Sequence, residues 1–481
     1  FFGGPCEARE VVSRQSGMRW VQRWMRIKRG LPEGFHLTHH GYLRVLTPDV
    51  QSLQTGLLSL HLLDDTPSGL ILNEKADPAI SSDLQAAFQR IFSGDGDHDR
   101  AWAKAGVLGP SLTIPIVDRQ LGLGQWQGFY LCDFLGDDSS GDSPDIEGRE
   151  RYLVATYQEL PNGRAKIWDH PVPSRGTHPL ETPPVLNPGD SPGIPGISSS
   201  SESPDISGIL HTLVRHTSAS LALRQSPGAT ATTRESLGFP GDAGAGHAHR
   251  IEASPRDIEA AMSEVCPDEW TRDVPFQHDY EGMDDMPGHV KSAILGAHAA
   301  SPVNGNNHRN HHLSSSLGRQ VELWEHRQCL CSTREVVACL ADTDLVASKQ
   351  IKIGSSGSSG DSGIVDVSGD IEDALGEALA GVSVGLLHVW APEGSSVVTC
   401  GGTRAAQATK DQVRAMMGRN EDQDEGIRRS IQQTILGHHV SIPIRDGRFL
   451  LPEGHDVFVV RGDQAPSGDD AVTVVLQGAT G

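Results

Sequence analysis

Three histidines and two adjacent aspartates stand out as side chains that can carry chemistry. His216 follows an apolar stretch in the phrase Arg-His-Thr-Ser-Ala-Ser. His278, Asp284, Asp285 and His289 lie close together in the phrase His-Asp-Tyr-Glu-Gly-Met-Asp-Asp-Met-Pro-Gly-His. A carboxylate beside an imidazole can orient the ring and fix its tautomer. Such groups serve general acid–base catalysis, or they bind a divalent cation through neutral imidazole and carboxylate ligands.

The alternative is a structural polar cluster, and residue types alone do not decide between the two. The pattern places His216 at the end of a strand. Pro287 fits the first turn of a helix with Asp285 near its N-cap, which places His289 in that first turn. A strand end and a helix N-terminus must therefore position these groups.

The chain repeats itself. Three segments share a Gly and a Pro six residues apart, followed by an apolar residue: Leu108–Ile116, Leu295–Val303 and Leu436–Ile444. Upstream of each lies a second shared phrase that opens an alternating, strand-like stretch: Gly56–Leu58, Gly208–Leu210 and Gly385–Leu387. Two phrases in the same order three times predict three tandem copies of one domain.

Each copy is predicted to be a β-rich α+β unit. Helices are clearest over Ile80–Ile91 and Pro255–Val265, and Gly follows the second helix of each copy, as is common at helix C-termini. In copy 1 the closing strands are predicted at Ser111–Ile116, Gly124–Phe134 and Arg151–Tyr157. We assign residues 18–160 to copy 1, 161–345 to copy 2 and 346–481 to copy 3.

The amino-acid composition limits the classes of molecule that the protein is expected to bind. The 481 residues include 40 Lys and Arg against 62 Asp and Glu, a net charge of −22, which argues against nucleic acid or an anionic membrane as the main partner. The sequence has no apolar run of about 18 residues, so we expect no transmembrane helix. Seven sparse cysteines without a CxxC pair favour reduced thiols in the cytoplasm.

Several stretches are predicted to lack a fold. Seven basic residues within the first 30 leave organellar import open, but we expect residues 1–17 to be disordered or non-native and Met18 to begin the first strand. Low apolar content predicts four disordered insertions or linkers: Pro171–Asp205, Ser226–Ser254, Asn304–Ser316 and Gly354–Gly363. The histidines of Asn304–Ser316 allow a third, weaker interpretation as a metal-buffering protein.

At the candidate residues the sequence resembles the YjbQ-like family, also called secondary thiamine-phosphate synthase. Copy 1 carries the family-like phrases Asn-Glu-Lys-Ala-Asp-Pro at 73–78 and Gly-Gln-Trp-Gln near Leu-Cys-Asp at 124–133. Copy 2 carries the His-Thr-Ser phrase at His216 and the Asp-Asp-Met-Pro-Gly-His phrase that ends at His289. The resemblance is specific in copies 1 and 2 and faint in copy 3.

The resemblance implies a β-sandwich-like domain with short helices that assembles as a homotrimer, with sites near subunit contacts. It also implies thiamine-phosphate synthase activity in some members, which joins a pyrimidine diphosphate to a thiazole phosphate and releases pyrophosphate. In this chain three copies would form a monomeric pseudo-trimer that acts on a small phosphorylated molecule, with a divalent cation such as Mg or Zn.

The resemblance also assigns roles. His216, His278 and His289 would act as acid–base groups or metal ligands, and Asp284 and Asp285 would orient them or bind the cation. The residues that would bind the substrate are Asn73, Glu74, Trp126, Gln127 and Lys291. Lys291 would contact a phosphate group of the substrate. For Trp126 and for Trp324 in copy 2, packing in the core is the favoured interpretation.

Departures from the family pattern are informative. Copy 1 has Trp102 where copy 2 has His289, whereas copy 2 has Arg224 and Gln225 where copy 1 has Asn-Glu. Copy 3 has the following at the aligned positions: Glu393, Gly401, Gly402 and Ser430. Copies 1 and 2 therefore hold complementary halves, and we expect at most one working site, in copy 2 and possibly completed by copy 1 across an interface. The alternative is a non-catalytic pseudoenzyme or scaffold that keeps only the fold.

Overall fold

The computed structural model describes residues 10–27, 33–92, 96–134, 151–180, 206–225, 253–274, 276–303, 317, 319–328, 332–353, 363–392, 394–417, 425–461 and 471–480. Of the predicted insertions, residues 181–205, 226–252, 304–316 and 354–362 lie outside the described residues, as do residues 1–9 and Glu393. Among the described residues no helix combines the length and apolar character needed to cross a membrane.

The chain contains 24 described strands and nine described helices. The elements up to residue 159 are β1 Glu10–Gln15, β2 Met18–Ile27, β3 Gly34–Leu37, α1 His39–Ser52, β4 Thr55–Leu63, β5 Ser68–Glu74, α2 Ala79–Ile91, α3 Asp97–Leu108, β6 Ser111–Val117, β7 Gln120–Leu121, β8 Gln127–Asp133 and β9 Arg151–Glu159. Copy 2 contains β10 Ala165–Pro171, β11 Gly176–Pro179, β12 Gly208–Val214, β13 Ala219–Gln225, α4 Pro255–Val265, α5 Trp270–Asp273, α6 Asp285–Leu295, β14 His298–Val303, β15 Arg319–Glu325 and β16 Thr333–Ala341. The remaining elements are β17 Leu345–Lys352, β18 Ile364–Asp366, α7 Ser368–Ala380, β19 Val382–Trp390, β20 Ser395–Cys400, α8 Gly402–Met417, α9 Glu425–Leu436, β21 His439–Arg445, β22 Arg448–Phe449, β23 Asp456–Arg461 and β24 Ala471–Thr480.

The same antiparallel topology recurs three times along the chain. The larger sheets have the orders β1-β2-β9-β4-β6-β7, β10-β16-β12-β14 and β17-β24-β19-β21-β22, and each is accompanied by a three-stranded sheet, β3-β8-β5, β11-β15-β13 or β18-β23-β20. Described strands from different copies do not pair in one sheet. The fold is therefore α+β and β-rich, as the sequence predicts.

The three-stranded sheets and seven of the nine described helices, all except α1 and α7, share one apolar core. Its members come from each copy, for example Phe88 on α2, Met262 on α4 and Val413 on α8, all at most 1% exposed. Helices α3 and α8 approach closely because Gly106 has no side chain to hold them apart; a Cβ there would overlap Thr409. This core brings the ends of β5 and α6, which carry the candidate residues of copies 1 and 2, together.

Helices α2 and α4 confirm the predicted segments to within one residue. Ser254 caps α4: its side chain accepts a hydrogen bond from the Asp257 amide, and the Asp257 side chain accepts one from the Ser254 amide. Such a capping box satisfies donors that a helix N-terminus otherwise leaves unpaired.

The prediction for residues 1–17 is wrong for their second half. Glu10–Gln15 forms β1, which pairs with β2 through a tight turn in which Ser16 and Gly17 have positive φ angles of 51° and 82°. The strand also reaches copy 3, where the Gln15 side chain accepts a hydrogen bond from the Thr480 amide at 2.6 Å. The basic residues suggested a targeting or non-native segment, but residues 10–15 alternate between exposed and partly buried positions, as in an edge strand.

The predicted insertion Pro171–Asp205 also begins too early. Residues 176–179 form β11, which pairs with β15, and the flanking Val172 and Leu180 are at most 1% exposed. The burial of these two side chains and the β11–β15 pairing place residues 172–180 in the fold.

Candidate functional site

The end of β5 and the helix α6 meet at an Asn–His contact between copies 1 and 2. The Asn73 side-chain amide donates to the His289 carbonyl at 3.0 Å, and its Oδ1 lies 3.0 Å from His289 Nδ1. Because Oδ1 also accepts from the Glu74 amide at 2.8 Å, it is an acceptor, so His289 Nδ1 carries the hydrogen. In the neutral ring this leaves the lone pair on Nε2.

His278 is held between carboxylates of both copies. Its Nδ1 lies 2.8 Å from Asp77 of copy 1, and its Nε2 lies 2.8 Å from Asp285 of copy 2. Burial opposes the charged ring, but these two carboxylates outweigh it and raise the pKa of His278 to about 9. The ring is therefore an imidazolium that binds the two copies together at neutral pH.

Glu74, His278 and His289 form a potential ligand group. One ligand atom from each lies within 4.8 Å of the others, and His289 Nε2 is 3.5 Å from both Glu74 Oε2 and Asp285 Oδ1. His278 Nε2, His289 Nε2 and both Asp285 side-chain oxygens are buried and lack a hydrogen bond of normal geometry. Two imidazoles and a carboxylate form a donor set that suits a zinc-type cation, so the residues fit such an ion.

The carboxylates of the group differ in their electrostatics. Burial raises the pKa of Glu74, although the two histidines oppose that shift. Burial acts in the same direction on Asp285, but contacts with His278 and His289 and the charge of Arg327, whose Nη1 is 2.5 Å from Asp285 Oδ1, hold its pKa well below the usual range. Asp285 therefore stays ionised, while Glu74 gains most from a nearby cation.

Asp83 positions the loop that carries His278. This copy 1 carboxylate accepts the amide hydrogens of Gln277, at 3.1 and 2.9 Å, and of His278, at 2.8 Å, and Asp83 is only 2% exposed. Sequence reasoning missed Asp83, Arg327 and Asp77 as site residues. Asp77 had a signal, since it lies in the Asn-Glu-Lys-Ala-Asp-Pro phrase, whereas Asp83 and Arg327 have no recognisable motif.

His216 is not a member of the ligand group, contrary to its predicted role as a metal ligand. Burial lowers its pKa to about 3, and its Nδ1 accepts the Ser218 amide hydrogen at 3.2 Å. Gln127 of copy 1 holds the same strand end, because its side-chain amide donates to the carbonyls of Val214 and His216, both at 2.9 Å. Gln127 thus joins the copies, and the potential ligand group contains Glu74 and not His216.

The other predicted residues lie around the group. Asp284 precedes α6, and its side chain accepts the Gln328 amide hydrogen at 2.6 Å. Lys291 is 2% exposed and its ammonium lies 3.3 Å from Asp268, so the structure shows it paired with a carboxylate. The expectation that both tryptophans pack in the core is correct for Trp324, which is buried, and wrong for Trp126, which is 55% exposed.

The corresponding contacts elsewhere are filled differently. At the contact of copies 3 and 1, a Cβ on Gly401 would lie 2.7 Å from the Trp102 ring, so the indole fills the space that a side chain at position 401 would need. In copy 2, Arg224 is paired with Glu322 at 3.1 Å and also donates to the Ala253 carbonyl. Among the described residues, only the contact of copies 1 and 2 has a group suited to a metal ion.

Comparisons with known proteins match a part of the chain about as long as one copy. Residues 43–158 match the family model described as "UPF0047 protein YjbQ-like". The UPF0047 protein YjbQ of Salmonella typhimurium is 32% identical over 148 residues, which is 29% of this chain and 98% of that protein. YugU of Bacillus subtilis is 30% identical over 103 residues, covering 19% of this chain and 78% of that protein.

A solved structure was also matched. A YbjQ-like protein of unknown function from Sulfolobus solfataricus P2 is 14% identical with a TM-score of 0.25, covering 30% of this chain and 99% of that chain.

Proposed function

The chain belongs to the YjbQ-like UPF0047 family, and from this premise we propose that it is a three-copy member with one cation-dependent catalytic site between copies 1 and 2. The observation that carries the proposal is the convergence of Glu74, His278 and His289 within 4.8 Å. This group combines Glu74, from the Asn-Glu phrase that copy 1 retains, with the two histidines that copy 2 retains.

Glu74, His278 and His289 would hold the cation. When bound, a divalent ion would supply positive charge to a developing anion such as a phosphate or diphosphate leaving group. Asn73 fixes the His289 tautomer, and Asp77 accepts from His278 Nδ1, so both rings are oriented by copy 1 side chains. His278 must release its Nε2 proton to act as a ligand, which makes cation and proton binding compete.

The finer proposal is thiamine-phosphate synthesis. In that reaction the bond from the pyrimidine methylene carbon to the diphosphate oxygen breaks, a bond to the thiazole nitrogen forms, and pyrophosphate leaves. The positive charges of Arg327 and of the bound cation would offset the negative charge of the leaving group. This reaction needs stabilisation of the leaving group more than a strong base, which is compatible with the groups present.

A product assay with purified protein tests the reaction. We expect thiamine phosphate to form from the two precursors, to cease after chelation of divalent ions and to return when Zn²⁺ or Mg²⁺ is added. Product at an undiminished rate after chelation would exclude a cation-dependent site. No product with either ion would favour the second candidate, a non-catalytic scaffold, for which the filled contacts at Trp102 and Arg224 argue.

We further propose that the three copies form a pseudo-trimer around a central axis and that the chain is a monomer. Joining the copies raises their effective concentration to roughly the millimolar range, so separate subunits are unnecessary. Light scattering is expected to give the mass of one chain, 51.5 kDa. A stable particle of three chains would contradict this assembly.

A further inference from the structure

A cavity of about 200 Å³ lies where equivalent segments of the three copies meet. Its wall includes three short strand segments, Leu70–Leu72, Leu221–Leu223 and Val397–Thr399. The same wall includes the last residues of α3, α6 and α9 with the glycines that follow them. This cavity has no member in common with the Glu74 ligand group, so it is a separate feature of the fold.

Three helices end at this cavity in the same way. Gly109, Gly296 and Gly437 follow them with φ angles of 73°, 80° and 79°, and each glycine amide donates back to a carbonyl of the last turn at 2.8 or 2.9 Å. The last carbonyls of a helix lack intrahelical partners, and a helix C-terminus acts as about −0.5 elementary charge. Three such ends together place at most about −1.5 charges around the cavity, since the carbonyls of Gly109 and Gly296 accept the amide hydrogens of Leu70 and Leu221.

The side chains of the wall do not cancel this field. They include no Asp, Glu, Lys or Arg; the titratable ones are His298, His438 and His439, which burial keeps neutral because it lowers their pKa. Two arginines outside the wall act on His438: Arg224 is neutralised by its pairing with Glu322, whereas Arg319 donates to the uncharged Ala391 carbonyl and offsets part of the field of the helix ends. The cavity therefore favours a cation over an anion.

The ligand types narrow the choice of cation. Mg²⁺ and Ca²⁺ sites in proteins rely on carboxylates, which this wall lacks. The histidines of the wall do not form a described group of three converging ligand atoms, as a transition metal needs. Carbonyl and hydroxyl oxygens are instead the ligands of potassium-sized ions. The Thr399 hydroxyl adds such a ligand, because it is buried and has no hydrogen-bond partner among the described residues.

We propose that the cavity at the meeting point of the three copies binds a monovalent cation of the size of K⁺ or ammonium. The ion would neutralise the three helix ends and thereby stabilise the contact between the copies. Because this site is distinct from the Glu74 group, the proposal of a monovalent cation does not depend on the proposed catalytic function.

Thermal unfolding of the full chain at constant chloride concentration tests the proposal. We expect the midpoint to be at least about 3 °C higher in 150 mM KCl or NH₄Cl than in N-methylglucamine chloride, since an ion that binds only the folded state stabilises it. Equal midpoints in all three salts would overturn the proposal. A crystal soaked in thallium chloride should show an anomalous peak in the cavity; a peak only elsewhere would also overturn it.

Two matched variants locate the effect. Thr399→Val removes an unpaired buried hydroxyl, so the protein without K⁺ should be as stable as before or more so, yet most of the K⁺-dependent shift should disappear. Ser396→Ala removes another unpaired buried hydroxyl from the same strand, outside the cavity wall, and should leave the K⁺ shift intact. A full K⁺ shift in Thr399→Val, or its loss in Ser396→Ala, would contradict the assignment.

Discussion

Replacing Glu74 by glutamine is expected to lower the rate of the reaction at the contact of copies 1 and 2 by about 10²–10⁴-fold, the range typical of acid–base and ligand groups. Glutamine keeps the shape of the side chain but removes the charge that would bind the cation. Burial raises the pKa of Glu74, so its charge costs the folded state stability. We therefore expect the thermal midpoint of the metal-free protein to stay equal or to rise.

The chain supplies its own control for this variant. Gln225 is the last residue of β13 as Glu74 is the last residue of β5, so copy 2 carries glutamine at the equivalent strand end. Gln225→Ala should leave the rate unchanged. If Glu74→Gln retained the full rate, the chemistry would have to lie within copy 2 alone, and the shared site would be refuted.

Acidification from pH 7.5 to 5 is expected to destabilise the protein severely. His211, His298, His388 and His439 lie on β12, β14, β19 and β21; the Nδ1–Nε2 distance is 3.2 Å between His211 and His298 and 3.1 Å between His388 and His439. The rings of His211 and His388 are 5.4 Å apart, which joins the two pairs across copies 2 and 3. Burial lowers the pKa of all four, to about 4 for His298 and about 3 for His388.

Proton linkage determines whether stability rises or falls with pH. Each of these histidines has a lower pKa in the folded state than in the unfolded chain, where it is about 6.5, so the unfolded chain binds more protons below that pH. Stability is then lost as the pH falls below about 6.5, by about 2 kcal/mol per histidine at pH 5. Four of them could cost about 8 kcal/mol, comparable with the whole stability of a domain. His278, whose pKa is raised, opposes this with a single proton.

Urea titrations between pH 7.5 and 5 measure this effect. The free energy of unfolding should fall with a slope that corresponds to the uptake of several protons. His298→Gln should reduce the slope, whereas His98→Gln, a change at a side chain that is 57% exposed, should not. A free energy that does not change over this range would show that the four rings are not buried as neutral groups.

Local patterns predicted the elements and half of the site. The local pattern located α2 and α4, and repeated phrases predicted three equivalent units, each of which contains two sheets. The complementary losses in copies 1 and 2 suggested that copy 1 could complete the copy 2 site, and Asn73 does contact His289. These features depend on residues close in sequence or on a comparison of copies.

Long-range geometry explains what the sequence did not reveal. Asp83 contacts a loop almost 200 residues away, so its own neighbours in sequence give no signal. His216 belongs to a conspicuous motif, but its strand end is fixed by Gln127 beside the ligand group rather than within it. Trp126 is large and apolar, and only the turn between β7 and β8 that carries it explains its exposure.

The most direct test of the shared site is the zinc content of the dialysed protein, measured together with that of three variants. We predict one tightly bound zinc per chain in the wild type and in His216→Gln, and loss of that zinc in Glu74→Gln and in His289→Gln. Loss in Glu74→Gln requires that copy 1 supply a ligand to the histidines of copy 2. Retention of zinc in Glu74→Gln, with loss in His216→Gln, would contradict the account and return the site to copy 2 alone.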